Sequence, residues 1–136
     1  MEYGRPTVQL DEIISTRRVI LIADDKQSSR DLLRAVLDDK YLVVEAADGE
    51  EALLLAFESS PHLVILDIHM SKKDGFDVVK ELRKDPVLQD VPIMALTASA
   101  SFDEDQIVNS GFDAYCVKPI GPAKLREVVA ALLQKK

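Results

Sequence analysis

The chain has 136 residues, which is the length of one ordinary domain. Its formal net charge is −7 and its pI is about 4.8, so the composition argues against a sequence-independent hold on nucleic acid or on anionic membranes. Cys116 is the single cysteine, which excludes an internal disulfide bond.

Residues 1–17 stand outside the alternating pattern that follows them, and we predict an N-terminal extension here and one domain over residues 18–136. Leu10, Ile13 and Ile14 fit a short amphipathic helix packed on that domain, and a partly ordered tail fits the segment equally well. The start of the chain lacks the basic beginning and the apolar stretch of a signal peptide. No apolar run approaches the roughly 20 residues of a membrane-spanning helix, so we expect a cytoplasmic protein without membrane insertion.

Five short apolar runs predict β-strands. Most of them are apolar without interruption, which is typical of strands that are covered on both faces of a sheet. In chain order the runs are residues 19–24, 42–46, 62–67, 91–96 and 112–117.

Five amphipathic segments alternate with these strands and predict helices. They lie within residues 28–40, 48–60, 75–85, 101–111 and 122–136. Asp48 followed by Glu51, and Ser101 followed by Glu104, have the spacing of capping boxes at helix N-termini, and Gly111 is a predicted C-cap. Five repeats of strand and helix imply a parallel sheet with helices on both faces, joined by right-handed crossovers.

Polar residues follow the predicted strands at their carboxyl ends, where ligands bind in an open parallel sheet. They are Asp24 and Asp25 after the first strand, Asp67 after the third, Thr97 after the fourth and Lys118 after the fifth. In the strand order 2-1-3-4-5 the first and third strands are neighbours at the point where the order reverses. We therefore expect the three carboxylates to converge there, with Thr97 and Lys118 on the far side.

Three carboxylates within a few Å of one another repel by several kcal/mol at an effective dielectric constant of about 20, so the cluster predicts a bound cation. Hard carboxylate oxygens, without cysteine or a histidine pair, favour Mg²⁺, Mn²⁺ or Ca²⁺ over zinc. A lysine and a hydroxyl opposite the metal would complete a cradle for phosphate. Taken singly, each of these residues has an ordinary structural explanation, such as Asp24 or Asp25 capping the next helix. Their joint placement at strand ends favours a functional site.

Four motifs together resemble the receiver domain of two-component response regulators. They are "LIADD", "LVILDIHM" followed by "KKDGFDVV", "MALTA" and "YCVKPI", and the resemblance extends over about residues 18–134. It implies a doubly wound (βα)5 flavodoxin-like three-layer α/β fold with a parallel sheet of order 2-1-3-4-5. It also implies a signalling phosphoacceptor, which is not an enzyme although it assists its own phosphotransfer and dephosphorylation.

The resemblance assigns the acidic residues to a phosphorylation and metal site. Asp67 matches the phosphoacceptor, whose carboxylate takes a phosphoryl group from a phosphohistidine. Asp25 and Asp67 match the direct Mg²⁺ ligands, Asp24 matches the acid that acts through a water, and the backbone carbonyl of His69 matches a third protein ligand. Mn²⁺ is expected to substitute for Mg²⁺. Positioning and charge neutralisation are most of what phosphoryl transfer requires.

The resemblance assigns the remaining polar residues to phosphoryl binding and switching. Lys118 matches the lysine that pairs with Asp67 and then with the phosphoryl oxygens, and a cis bond is implied between it and Pro119. Thr97 matches the switch hydroxyl and Tyr115 the aromatic residue that moves with it. Their movement is expected to change the surface formed by the fourth helix, the fifth strand and the fifth helix.

The implied partners are a histidine kinase or a histidine phosphotransfer protein, and a downstream protein that the sequence does not name. We expect no direct contact with nucleic acid, and a dimer formed on phosphorylation is a further option. The sequence ends just after the fifth helix, so a stand-alone receiver and a receiver taken from a larger protein both remain open.

Two residues depart from the family pattern. Ser71 stands where the family usually has a proline, and His69 is an uncommon residue beside the phosphorylation site; it either alters the lifetime of the phosphoryl group or has no role. Two other functions fit these residues less well. An aspartate-nucleophile phosphatase would need a D-x-D motif where this chain has "DIH", and a receiver-like module without phosphorylation typically lacks one of the acids or the lysine, all of which are present.

Overall fold

The computed structural model describes residues 17–98 and 104–134 of the chain. Strands and helices alternate through these ranges, as predicted, with boundaries that differ from the sequence-based ones by a few residues. In chain order they are β1 (Val19–Ala23), α1 (Gln27–Leu37), β2 (Leu42–Ala46), α2 (Gly49–Ser59), β3 (Leu63–Asp67), α3 (Gly75–Lys84), β4 (Ile93–Thr97), α4 (Glu104–Asn109), β5 (Ala114–Val117) and α5 (Pro122–Gln134). The segment around Leu10, Ile13 and Ile14 and the predicted cap at Ser101 lie outside the described residues.

The five strands form one parallel sheet in the order β2-β1-β3-β4-β5, which confirms the predicted topology. Because β3 crosses over to the far side of β1, these two strands are neighbours, with Ala23 paired to Leu66. The residues that follow this pair, Asp24 and Asp67, therefore emerge side by side at the carboxyl edge of the sheet. The crossing point is where ligands bind in sheets of this kind.

Each strand of the sheet contributes side chains to both covering layers. Along β1, Leu21 and Ala23 pack into the layer that contains α2 and α3, whereas Ile20 and Ile22 pack into the layer that contains α1 and α5. Successive side chains of a strand point to opposite faces, so a strand covered on both faces is apolar throughout. This explains the uninterrupted apolar runs in the sequence and gives the three-layer architecture.

Side chains satisfy the exposed backbone N–H groups at two helix N-termini. The predicted cap at α2 is present, since Asp48 accepts a hydrogen bond from the N–H of Glu51 at 2.8 Å. The first turn of α3 has a complete capping box between Asp74 and Asp77, which the sequence analysis missed. Gly111 follows α4 with a φ of +107°, a conformation that favours glycine and agrees with its predicted C-cap role. Within the described residues, no helix is long and apolar enough to cross a lipid bilayer.

Candidate functional site at the carboxyl edge of the sheet

Three carboxylates converge beyond β1 and β3, as the strand order predicts. Asp24, Asp25 and Asp67 each place an oxygen within 4.8 Å of the others. Asp24 is 1% exposed and Asp67 6% exposed, whereas Asp25 is open to solvent. Two buried acids beside a third exposed one form a pocket whose negative charge water cannot fully screen.

Each polar group of Asp24 has a partner. Its N–H donates to the carbonyl of Ala46 at 3.1 Å, which continues the pairing of β1 with β2. One carboxylate oxygen accepts from the N–H of Lys26 at 2.9 Å, and the other accepts from Lys118 Nζ at 2.5 Å. Its carbonyl accepts from Arg30 Nη1 at 2.7 Å. Asp24 is therefore a fixed part of the pocket and not a simple helix cap, since the N-cap of α1 is Lys26.

Lys118 lies between the two buried carboxylates. Its Nζ is 2.5 Å from an oxygen of Asp24 and 3.2 Å from an oxygen of Asp67. Its N–H donates to the Thr97 carbonyl at 2.7 Å, which continues the pairing of β5 with β4, and its bond to Pro119 is cis, as predicted. Burial opposes the charged ammonium, but the hydrogen bond to Asp24 and the charges of both acids outweigh burial and raise the pKa of Lys118. The sequence predicted the contact with Asp67 and missed the shorter one with Asp24.

The Asp67 carboxylate is buried between the positive charge of Lys118 and the negative charge of Asp24. Burial raises the pKa of Asp67, the charge of Lys118 lowers it, and the neighbouring Asp24 raises it again. One oxygen of Asp67 also accepts the N–H of His69 at 3.3 Å. The His69 side chain is exposed and does not belong to the acidic cluster of the described residues.

The loop after Asp67 is held against two helix N-termini. Gly75 donates to the carbonyl of Ile68 at 2.8 Å, and a Cβ at Gly75 would lie 2.9 Å from the carbonyl oxygen of Asp67. The Ser71 carbonyl accepts the N–H of Gly49 at 3.3 Å. A Cβ at Gly49 would lie 1.9 Å from the carbonyl oxygen of Lys73. Glycine is therefore required at both positions for the loop to approach this closely.

Thr97 and Tyr115 lie on neighbouring strands that face the same layer. Thr97 is buried at the end of β4, and Tyr115 pairs with Ala95, two residues before Thr97. Side chains two residues apart on a strand share a face, so Thr97 lies on the side on which Tyr115 packs. Burial, the larger cause, and the neighbouring charge of Glu104 on α4 raise the pKa of the Tyr115 hydroxyl. Tyr115 of β5 therefore lies between β4, with which it pairs, and α4, which carries Glu104.

Glu45, a charged residue that was not predicted from the sequence, joins α1 to β2 beside the acidic pocket. Glu45 of β2 accepts hydrogen bonds from Arg30 Nε at 3.0 Å and from Arg34 Nε at 2.5 Å. A signal was present in the sequence, because Glu45 is the only charge in the run "LVVEA", and the two arginines have the i, i+4 spacing of one helical face.

The donor chemistry of the pocket fits a hard divalent cation. Asp24, Asp25 and Asp67 carry three negative charges and Lys118 carries one positive charge, which leaves two negative charges in a partly buried site. Carboxylate oxygens are the ligands that Mg²⁺, Mn²⁺ and Ca²⁺ prefer. One divalent ion would balance the remaining charge.

An apolar groove of about 390 Å³ opens beside Lys118 on the side of α1 and α5. Its lining includes Leu33, Val36, Pro119, Ile120, Leu125 and the exposed Leu32. The apolar lining of the groove, and not the exposed leucine alone, is the feature that marks surfaces which contact other macromolecules.

The chain matches the response regulator receiver domain family over residues 20–130. It is 43% identical over 128 residues to a probable transcriptional regulator, ycf27, of Guillardia theta, a match that covers 93% of this chain and 49% of that protein. The chain thus spans about half the length of the ycf27 relatives it matches.

Solved structures show the same fold. The chemotaxis response regulator CheY4 of Vibrio cholerae superposes with a TM-score of 0.81 at 31% identity, covering 86% of this chain and 99% of that one. The receiver domain of a sensor histidine kinase from Pseudomonas aeruginosa superposes with a TM-score of 0.81 at 26% identity, covering 88% and 99%, and holds a magnesium ion coordinated in its active-site cleft.

Proposed function

The chain belongs to the family of response regulator receiver domains, and we propose that it is the phosphoacceptor of a two-component phosphorelay, with Asp67 as the residue that takes the phosphoryl group. The observation that carries this proposal is the position of Asp67. Its carboxylate is buried, lies beside Asp24 and Asp25, and is 3.2 Å from the Lys118 ammonium. A nucleophile in such surroundings is positioned for transfer, and positioning with charge neutralisation accounts for most of phosphoryl-transfer catalysis.

In the proposed reaction, a carboxylate oxygen of Asp67 attacks the phosphorus of a phosphohistidine. A phosphorus–oxygen bond forms while the phosphorus–nitrogen bond breaks, and the electron pair of the broken bond stays on the imidazole. Lys118, which already contacts Asp67, pairs with a phosphoryl oxygen, and the Thr97 hydroxyl donates to another. Lys118 thus exchanges a carboxylate partner for a phosphoryl partner.

We assign Asp24, Asp25, Asp67 and the His69 carbonyl to the binding of Mg²⁺, for which Mn²⁺ would substitute. When bound, the ion would neutralise charge on the phosphoryl oxygens. The three carboxylates support this assignment through their mutual distances and their hard oxygen donors. Asp24 would act through a water, because its carboxylate oxygens already accept from Lys26 and Lys118.

The proposed donor is a histidine kinase or a histidine phosphotransfer protein in the cytoplasm. The groove beside Lys118 supports this, because an apolar surface adjacent to the phosphorylation site suits the helix that carries the donor histidine. The downstream partner would sense α4, β5 and α5, where Tyr115 meets Glu104, and a dimer formed through this surface is one form of that output. The protein would act as a signalling phosphoacceptor and not as an enzyme with a separate substrate.

The test is direct phosphorylation. The purified protein is incubated with acetyl phosphate and Mg²⁺ and its intact mass is measured. Wild type should gain one phosphoryl group and Asp67→Asn should gain none. Asp90→Asn, which changes an exposed acid just before the amino end of β4, at the opposite edge of the sheet from the pocket, should behave as wild type. Equal incorporation in wild type and Asp67→Asn would show that Asp67 is not the acceptor.

A further inference from the structure

Arg30 of α1 contacts the backbone of the acidic pocket, although it is not one of the three acids that form the pocket. Its side chain is only 12% exposed, its Nη1 donates to the Asp24 carbonyl at 2.7 Å, and its Nε donates to Glu45 at 3.0 Å. A guanidinium held by a carboxylate on one side has few alternative positions, because its donors form a rigid planar fork.

The carbonyl that Arg30 holds belongs to the peptide group between Asp24 and Asp25. A peptide group is planar, so fixing the direction of its carbonyl fixes the position of the next Cα, that of Asp25. On the other side of Asp25, the N–H of Lys26 donates to the Asp24 carboxylate at 2.9 Å. The backbone of Asp25 is therefore held on both sides.

The Asp25 carboxylate depends on this backbone support. Among residues 17–98 and 104–134, no group donates a hydrogen bond to it, and it is exposed. Asp24 is held by four direct partners, whereas Asp25 is placed only through its neighbours. Loss of a hydrogen bond to the Asp24 carbonyl should therefore displace Asp25 more than Asp24.

We propose that Arg30, braced by Glu45, is a positioning residue that sets the orientation of Asp25 and thereby the affinity of the pocket for a divalent cation. This inference rests on the proposed function. Groups that orient metal ligands typically change metal affinity 10- to 100-fold when removed. Geometry and charge predict opposite effects here, since removing a cation near the pocket would by charge alone strengthen Mg²⁺ binding.

Arg34 supplies the matched control. It shares Glu45 with Arg30 and donates to the Val43 carbonyl at 3.2 Å, but it makes no hydrogen bond to Asp24. Arg34→Ala and Arg30→Ala both remove one arginine from the same carboxylate and the same helix. Only Arg30→Ala removes the contact with the peptide between the two acids.

The experiment measures Mg²⁺ dissociation constants by calorimetry for wild type, Arg30→Ala, Arg30→Lys and Arg34→Ala, with thermal melts in EDTA for each. We expect Arg30→Ala to weaken Mg²⁺ binding about 10-fold or more and Arg34→Ala to leave it unchanged, although both lower the melting temperature. Arg30→Lys, which keeps the charge but not the fork, should also weaken binding.

The outcomes separate this inference from the proposed function. If wild type binds Mg²⁺ and Arg30→Ala binds it equally well or more tightly, the positioning role of Arg30 is wrong while the phosphoacceptor function stands. If Arg34→Ala weakens binding as much as Arg30→Ala, the effect is general destabilisation and the inference is also wrong. If wild type binds no Mg²⁺, both are overturned.

Discussion

At the scale of single residues, the ammonium group of Lys118 forms ion pairs with two buried carboxylates. Lys118 contacts both Asp24 and Asp67, and the pKa of Lys118 is raised because these contacts outweigh the cost of burial. Removing one partner from a buried ion pair leaves the other charge uncompensated, which commonly destabilises by about 3–5 kcal/mol. Here two carboxylates would lose their partner at once.

We therefore expect Lys118→Met to melt well below wild type in EDTA, by the equivalent of roughly 3 kcal/mol. Added Mg²⁺ should raise the melting temperature of this variant more than that of wild type, because the ion supplies the missing positive charge. Lys124→Met, at an exposed position on α5, serves as the control and should melt as wild type does. Equal Mg²⁺ stabilisation of Lys118→Met and wild type would contradict a shared role of Lys118 and metal in balancing these acids.

At the scale of elements, helix ends connect the fold to the pocket. The N-terminus of α2 holds the loop after Asp67 through the Gly49 N–H and through Asp48, which pairs with Lys72 at 3.6 Å.

At the other end of α2, the C-cap residue Ser60 has a φ of +46°, in the left-handed region. A residue with a Cβ is disfavoured there, and glycine is the usual choice at the end of a helix.

Ser60→Gly should accordingly raise the stability of the protein by about 0.5–1 kcal/mol, measured as an increase in the midpoint of urea unfolding. The backbone hydrogen bond from Ser60 to the Ala56 carbonyl is kept in this variant. Ser59→Gly is the matched control, since Ser59 is helical and its hydroxyl donates to Leu55 at 2.6 Å, and it should lower stability. A lower midpoint for Ser60→Gly would show that the left-handed conformation carries no strain in this loop.

Glu45 connects α1 to β2 by an interaction that depends on its charge. The hydrogen bond from Arg34 lowers the pKa of Glu45, burial opposes that effect, and Arg30 lowers the pKa further. A carboxyl whose pKa is lower in the folded state contributes stability above its unfolded pKa of about 4.5, and this contribution disappears as the pH falls through the folded value.

We predict that Glu45→Gln is less stable than wild type at pH 7 by about 1 kcal/mol, a modest value because the ion pair is partly exposed. The difference should begin to shrink as the pH falls below about 4.5, where Glu45 of the unfolded chain takes up a proton, and should disappear below the lower folded pKa, where Glu45 of the folded protein is neutral as well. Thermal melts of both proteins between pH 3 and pH 7 measure it. A stability difference that is constant over this range would mean that shape and not charge governs the contact.

At the scale of the whole molecule, two sets of contacts connect the pocket to distant surfaces. On one side, Arg30 and Glu45 join the pocket to α1 and β2. On the other side, Thr97 ends β4, and Ala95 of the same strand pairs with Tyr115 of β5. Tyr115 in turn lies near Glu104 of α4. Under the proposed function, a phosphoryl group on Asp67 can shift the second set only if it interacts differently with the two arrangements, and the Thr97 hydroxyl supplies such a difference.

Thr97→Ala should still accept a phosphoryl group at Asp67, since it keeps the acids and Lys118. Its Tyr115 and α4 signals should change far less than those of wild type when beryllofluoride, a phosphoryl mimic, is added. NMR spectra of both proteins with and without beryllofluoride measure this. If Thr97→Ala shows the wild-type shifts at Tyr115 and α4, Thr97 does not couple the pocket to that surface.

The amino-acid sequence was enough to predict the alternation of strands and helices and the residues at the ends of the strands. Both are encoded locally, because the apolar runs reflect burial on both faces and Asp24, Asp25, Asp67, Thr97 and Lys118 directly end or follow a strand. The motif resemblance supplied the strand order, and the sheet confirms it. The division into residues 1–17 and 18–136 stays a prediction, as do the individual roles of the site residues.

The contacts that no sequence pattern predicted depend on how the chain folds. Lys118 is far from Asp24 along the chain, and their 2.5 Å contact exists because β5 and β1 end at the same edge of one sheet. The contact between Arg30 and the Asp24 carbonyl joins residues that are close in the chain, but it depends on α1 packing beside β2, where Glu45 holds the guanidinium. Such contacts depend on how the crossovers and helices pack against the sheet. A local pattern of side chains does not specify that packing, so these contacts can be identified only in the folded structure.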